Sequence, residues 1–521
     1  MYRKKDDLLN LIQSLNNGEK RHFTNMFKPN KGENLPMFLQ LYEIHENGQS
    51  EVPNDLFNTS SQTLVTAKRH LYACILKSLR ILLDNISIDT TLQNQLIEVE
   101  ILNNHRLPQQ ASLILKKAYE LAMQYEKYAH LHLVLEWEKK LNIALDEPSR
   151  PTIEIISEQN QVSMMAQQLN KLESLYSHIL LLKRKYGYVK GEVAELVRRE
   201  TILSDEMVEE KECYGEKSRY YRNFIFSIFH WMTFEHWKAL DYSRKLLITE
   251  QHSILPSDYI SGIFQHITSS ICVGHFDDTM MAIRIAELYS SANHLDVSAN
   301  FTTMLFAYKS TYQIKVLTYK GELKPLKKCL KTVESELKGI ELKLSIDQAH
   351  IIKGNLMNGF MVIGEYGKAQ KIWDELFDQQ KSMRKDIFAD LFIFRLFMLL
   401  NTKSYDQIPV AAKAAVRYFK KSEQESNAGS IEMEIAKLLS KSVAFKVKQD
   451  RVGVVESIKE SIFNFIKTTN PQSMFQEHYS RYLIWCDAII EEEYFYLSAK
   501  KWYSKFRRTM HKRISRGIKV R

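Results

Sequence analysis

The sequence predicts an all-α protein, an irregular helical-hairpin solenoid behind an N-terminal helical module, and three observations carry that reading. First, 17 glycines and 10 prolines make about 5% of 521 residues, against roughly 12% in average proteins. Sheets need turn residues every 8–12 positions and phosphate loops need clustered glycines, so a chain this poor in both is helical. Second, long stretches carry apolar residues at helical spacing, as in "TLVTAKRHLYACILKSLRILL" at 63–83. Third, a five-position frame recurs through the second half. The chain, at 61.2 kDa, also exceeds the size of one compact core, which implies several domains or an elongated repeat. Hydrophobic content of 45% and charged content of 26% are those of a folded chain.

Residues 1–95 read as the N-terminal module. "DLLNLIQSL" is amphipathic, and "NNGEKRHFTNMF" restarts a helix with Asn16 and Glu19 at capping-box spacing. "MFLQLYEIHEN" at 37–47 gives a third helix, and the long pattern ending at Leu83 a fourth. A DNA-reading helix-turn-helix would need a basic recognition face, and none stands out here.

Residues 96–495 read as the solenoid. In "GEYGKAQKIWDEL" the frame is Gly364, Tyr366, Ala369, Trp373 and Leu376. It recurs as Gly321, Leu323, Leu326, Leu330 and Val333, and as Gly274, Phe276, Thr279, Ile283 and Ala286. A further copy is Lys403, Tyr405, Ile408, Ala412 and Ala415; a degenerate one starts at Asp450, and a partial one is Ala111, Leu115 and Ala118. A turn-tolerant residue ends one helix and a large apolar residue seeds the next. A small residue then lets the two helices approach, and two apolar residues fill the groove between them. Such a hairpin buries too little alone and must stack on its neighbours.

The frame resembles the second helix of the tetratricopeptide repeat, with Leu356 and Phe360 standing where the first helix of that repeat has its leucine and tyrosine. Met357 stands where a glycine or alanine is expected, and starts at 274, 321, 364, 403 and 450 give intervals of 47, 43, 39 and 47 rather than roughly 34. The resemblance therefore implies longer, irregular hairpins, clearest over 270–465. The N-terminal "LLNLIQSLNNGEKRHF" with "LYACILKSLR" looks like a family of long helical-repeat proteins from Bacteroidota bacteria; that resemblance implies a bacterial protein and no activity. Breaks in periodicity are expected at 143–160 and 202–217.

No GxGxxG, P-loop, HExxH or GxSxG occurs. His230 and His236, with Glu235 between them, are six residues apart and about 120° out of line on one helix, which is unsuited to chelation. His130 and His132 likewise fall on different faces. Cys486 beside Trp485 sits in an apolar run and reads as core. Five scattered cysteines argue against a disulfide framework and fit a cytoplasmic location. No secretion signal is expected at the N-terminus, where Asp6, Asp7 and Asn10 interrupt the apolar residues. The most apolar run, "DLFIFRLFMLL" at 390–400, is too short to span a membrane and reads as a buried helix. Neither a metal nor another cofactor is expected, and neither is a polar pocket of convergent titratable groups, which an enzyme would need.

Residues 496–521 read as a basic amphipathic helix and tail. The segment 500–521 holds ten Lys or Arg and no acid, so the +10 net charge (72 basic against 62 acidic residues) lies wholly within it. At 100° per residue, Phe495, Ala499, Trp502 and Phe506 share one face, and the packed part should end near Met510. Lys501, Lys505, Arg508, Lys512, Arg516 and Lys519 form a separate stripe about 80° wide, suited to phosphates or an acidic partner. Three roles fit: a cap on the last repeat, an RNA or DNA contact with Trp502 or Tyr503 stacking on bases, or an interfacial membrane helix. Whether 473–514 is one helix or a hairpin stays open, since only "EEE" at 491–493 suggests a break.

The function expected from these features is that of a non-enzymatic scaffold or adaptor holding a protein partner in the solenoid groove. The alternative is an RNA-, ribosome- or DNA-associated protein that uses the basic C-terminal helix.

Overall fold

The computed structural model of the chain describes residues 7–15, 17–27, 43, 61–83, 87–145, 147–148, 150–249, 254–293, 299–423, 431–441, 445–469 and 477–515. Their regular structure is helical, and no strand occurs among the described residues. The chain divides into two compact units, Met1–Ala166 and Gln167–Arg521. The limit drawn at residue 95 lies within one continuous helix (α4, below) and the boundary between the two units within another (α7, below).

In the first unit, α1 (Asp7–Ser14), α2 (Asn17–Phe27) and α3 (Ser61–Leu83) share one core of Leu8, Ile12, Leu15, Phe23, Leu71 and Ile75. Asn16, and the third predicted helix apart from Glu43, lie outside the described residues. Next come α4 (Ile88–Asn104), α5 (Pro108–Gln124) and α6 (Tyr128–Ala144), each packed on the next. The chain breaks between Ala144 and Thr152, within the predicted 143–160 interval, and α7 (Thr152–Tyr186) follows. Arg150 braces that break, reaching Glu138 at 2.8 Å and Glu158 at 2.6 Å.

The second unit continues with α8 (Gly191–Glu200) and, after the predicted acidic connector, α9 (Glu216–Met232), α10 (His236–Leu247), α11 (Pro256–Cys272) and α12 (Phe276–Ala292). Then come α13 (Ala299–Lys320), α14 (Leu323–Ile340), α15 (Ile346–Val362), α16 (Tyr366–Asp378), α17 (Lys385–Asn401), α18 (Ile408–Glu423) and α19 (Ile431–Ser440). Last are α20 (Lys448–Thr469), α21 (Glu477–Ile490) and α22 (Phe495–Ser515).

One turn geometry joins the hairpins, and it explains the frame. Gly274, Gly321, Gly364 and Lys403, the frame starts, all have left-handed backbone, with φ of 80°, 64°, 82° and 57°. At Gly364 the amide of the next residue, Glu365, donates to Phe360 O at 2.8 Å and Gly364 N donates to Met361 O at 3.1 Å. This closes a helix end in the six-to-one pattern that favours glycine, because a Cβ is disfavoured in that backbone region. The same pair of bonds occurs at Arg106, Glu126 and Phe234, all with positive φ. These starts escape a search for glycine, yet the frame follows. Tyr128, Leu131 and Leu135 are buried after Glu126, and His236, Ala239, Ser243 and Leu246 after Phe234. The partial copy at Ala111, Leu115 and Ala118 follows Arg106 and is buried as well. Asp450, by contrast, lies within α20 and starts no turn.

Packing separates two helix classes. The odd-numbered helices α9 to α19 contact each other in series, whereas α10, α12, α14, α16 and α18 each cover a neighbouring pair. Covering helices are amphipathic: α16 buries only Ala369, Trp373 and Leu376. The inner ones are buried nearly all round; α17 buries Phe388 and nine of its next twelve residues from 389 to 400. A second layer explains this. Helix α21 crosses α11, α13, α15 and α17, with Tyr319 OH donating to Glu477 O and Trp485 Nε1 donating to Asn358 Oδ1 at 3.2 Å. Trp485, Tyr482 and Cys486 are fully buried, as expected for Cys486.

The 473–514 ambiguity resolves as a hairpin, turning at Glu492 (φ 52°) between α21 and α22. Phe495, Ala499 and Phe506 are buried as the periodicity requires. Their seat, however, is α13 in mid-chain together with α21, rather than the last hairpin alone. Among the described residues no helix is long and apolar enough to cross a membrane.

Candidate binding pocket

The inner helices leave a cavity of about 530 Å³ beside the start of α21. The sequence predicted no polar pocket of convergent titratable groups, and the structure contains one. Lys183 and Arg184 enter from the last turn of α7, Tyr188 from the turn after it and Trp231 from α9. Thr268 comes from α11, Tyr308, Tyr312 and Lys315 from α13, and Asp347 and Asn355 from α15. Arg384, Asp386, Asp390 and Phe394 come from α17 and the residue before it, and Glu477 and Arg481 from α21. These polar positions come from six separate segments scattered over three hundred residues. That is why no motif search meets them.

Two ion-paired groups frame the cavity. On one side Arg481 Nη2 lies 3.0 Å from Asp390 Oδ2 and its Nε 3.4 Å from Glu477 Oε1, which Lys315 Nζ approaches at 3.2 Å. Tyr482 OH donates to the other Asp390 oxygen, and the Arg481 guanidinium lies 5.1 Å over the Phe394 ring. Burial opposes the Arg481 charge, but Glu477 and Asp390 outweigh it and hold the guanidinium protonated. On the other side Arg384 grips Asp386 with Nε at 3.0 Å and Nη2 at 2.6 Å. The chain turn after α7 fits tightly against this pair: a Cβ at Gly187 (φ 64°) would lie 2.5 Å from Asp386 Oδ2. Arg184 Nε stands 3.8 Å from Asp347.

Lys183 differs from its neighbours. Its Nζ donates to Gln265 Oε1 at 3.4 Å and stands 4.7 Å over the Trp231 ring, and no carboxylate pairs with it among the described residues. Surrounded by protein but open to the cavity, it titrates at about 8; burial is the main cause, and repulsion from Arg384 adds to it.

The remaining wall is aromatic and aliphatic. Tyr188 stacks on Trp231 at 4.4 Å and Tyr308 on Phe264 at 4.2 Å, while Tyr312 OH and Thr268 Oγ1 share a hydrogen bond of 2.8 Å. Burial pushes Tyr188 and Tyr312 well above the ordinary phenol range and Cys272, 3.9 Å from Tyr188 OH, up to about 12. At neutral pH these groups are hydrogen-bond partners rather than bases or nucleophiles. The arrangement suits recognition: fixed charges for orientation, rings for contact area.

The histidines singled out by sequence go separate ways. His230 Nδ1 pairs with Glu235 at 2.7 Å and stacks on Tyr242, whereas His236 meets Tyr188 and Phe234 edge-on. No group of three or more His, Cys, Asp or Glu side chains suited to a metal occurs among the described residues.

The basic stripe is only partly in view. Lys501 is held 2.7 Å from both Glu491 and Glu493, which raise its affinity for its proton. Lys505 and Arg508 are exposed on α22. Lys512 lies in α22 with its side chain outside the description, and Arg516 and Lys519 lie outside the described residues. Trp502 stacks on Phe506 at 5.1 Å and packs near Tyr319, and Tyr503 packs near Phe276. Both rings are half-buried and pack against other rings of the fold. Compared with protein families, with curated proteins and with solved structures, the chain matches none.

Proposed function

We propose that this protein is a non-enzymatic scaffold or adaptor, a tetratricopeptide-like helical-hairpin solenoid that binds a segment of a protein partner. The single observation that carries the reading is the pocket of about 530 Å³, with fixed ion pairs and aromatic walls on the inner helix series. Helix α21 packs on the inner helices, so the site of this reading is the cavity beside Glu477 and Arg481 rather than an open groove. Stacked hairpins supply a rigid frame, and the cavity supplies orientation and contact area.

The test uses the full-length chain as bait in extract of its own cells, treated with nuclease and washed at high salt. Ile387→Trp, on the pocket wall, should abolish capture of the partner, and Ile248→Trp, at a surface position, should not. Retention by the Ile387→Trp chain would sink the reading. The alternative, phosphate contact through α22, draws on exposed Lys505 and Arg508. It requires capture to fall steeply with salt and to vanish when 500–521 is deleted.

A further inference from the structure

We infer that Lys183 is the core of an anion subsite in this pocket, built to receive one carboxylate of the bound segment. The inference rests on the pocket being the binding site, and its test separates the two.

The charges around the cavity carry it. Four carboxylates line it, and each has its cation. Asp386 is chelated by Arg384, Asp347 faces Arg184, and Asp390 and Glu477 share Arg481 and Lys315. Those are four cations for four anions, and Lys183 is the fifth cation. Its partners are neutral: an amide oxygen, an indole face and the carbonyl end of α7. Indole and helix terminus soften the cost of holding an ammonium there, but neither cancels its charge. A group that faces a cavity, is largely desolvated and lacks a counter-ion is poised for an anionic ligand.

A single carboxylate fits better than a phosphate dianion. The surplus is one charge, and the Nε and Nη2 edge of Arg384 is already occupied by Asp386. A dianion would also sit among four fixed carboxylates with only one cation to spare. The cavity that Lys183 faces is also lined by aromatic and aliphatic side chains, among them Trp231, Tyr308, Leu391 and Phe394, so the carboxylate should be carried on an otherwise apolar segment.

The test uses immobilised full-length protein and three pools of apolar hexapeptides: free C-terminal acid, C-terminal amide, and amide with one internal Asp or Glu. Retention of either acidic pool at least ten-fold above the neutral amide pool is expected, and which acidic pool wins identifies the source of the carboxylate. Lys183→Met should reduce retention to the neutral level, while Lys183→Arg should keep most of it. Succinate should displace the peptides at lower concentration than inorganic phosphate. Equal retention of all pools, unchanged in Lys183→Met, would overturn the subsite and leave the pocket standing. Stronger displacement by phosphate would overturn the carboxylate assignment. If no pool is retained above a bare matrix, the subsite and the binding role of the pocket both fall.

Discussion

Gly321 is the seat on which the backbone of Tyr496 rests: a Cβ at Gly321 would overlap the Tyr496 carbonyl oxygen and lie 2.8 Å from Lys500 N. With φ of 64°, the glycine both ends α13 and admits α22. Gly321→Ala should therefore destabilise the protein by about 2–4 kcal/mol, combining left-handed strain with the loss of α22 docking. Gly191→Ala is the control, because its φ is 55° and nothing lies within 4 Å of the new methyl. It should cost about 1 kcal/mol. Urea unfolding measures both, and equal costs would refute the seat.

The Arg481–Asp390 pair, 3.0 Å apart, joins α21 to α17. Asp390→Asn or Arg481→Met alone should cost about 3–5 kcal/mol, because each strands a buried partner. The double variant should cost less than their sum, by at least about 1 kcal/mol. Strict additivity in denaturant melts would show that the pair does not hold α21.

Lys183 carries a pH signature. Its folded-state value of about 8 lies below the ordinary lysine range, so between the two the unfolded chain binds more protons. Its contribution to stability should rise with pH through that window, and its burial penalty should be fully felt below pH 8. Lys183→Met should then raise the melting temperature at pH 7 and lose that advantage towards pH 10. Arg384 and Cys272 act on it, and the other titratable groups lining the same cavity are Arg184, Lys315 and Arg481, the carboxylates Asp347, Asp386, Asp390 and Glu477, and Tyr188, Tyr308 and Tyr312. A stability gap that does not change with pH would argue against a Lys183 held below the ordinary lysine range in the free protein.

Thiol reactivity reads the core directly. Burial raises Cys272 to about 12 and Cys329 to about 11, and it lifts Cys486 above the ordinary thiol range. Alkylation at pH 8 should label the partly exposed Cys74 and Cys213 first, and the other three only as fast as the fold opens. Mass mapping of the labelled sites decides it. Early labelling of Cys486 would contradict a buried α21.

Much of this architecture could be read along the chain. The frame at 274, 321, 364 and 403 located four hairpin turns, because glycine at a left-handed position leaves a local mark. Equivalent turns at Glu126 and Phe234 were hidden, since their left-handed backbone is imposed by packing on residues that do not advertise it. The apolar face of α22 was legible, with Phe495, Ala499 and Phe506 buried; the helix it covers was not. A stripe states that a partner exists, and only the fold supplies α13.

By itself, then, the sequence determined the helical class, four of the hairpin turns and the apolar face of α22, all of which rest on spacing within a few residues. The tertiary structure decided that α21 lies across the inner helices, and that Lys183, Arg384, Asp390 and Arg481 meet around one cavity. It also turned Lys501 towards Glu491 and Glu493, and Trp502 towards Phe506. The physical reason is one of range. Helix periodicity is local, whereas charge pairing and desolvation depend on which distant segments the packing brings within a few ångströms.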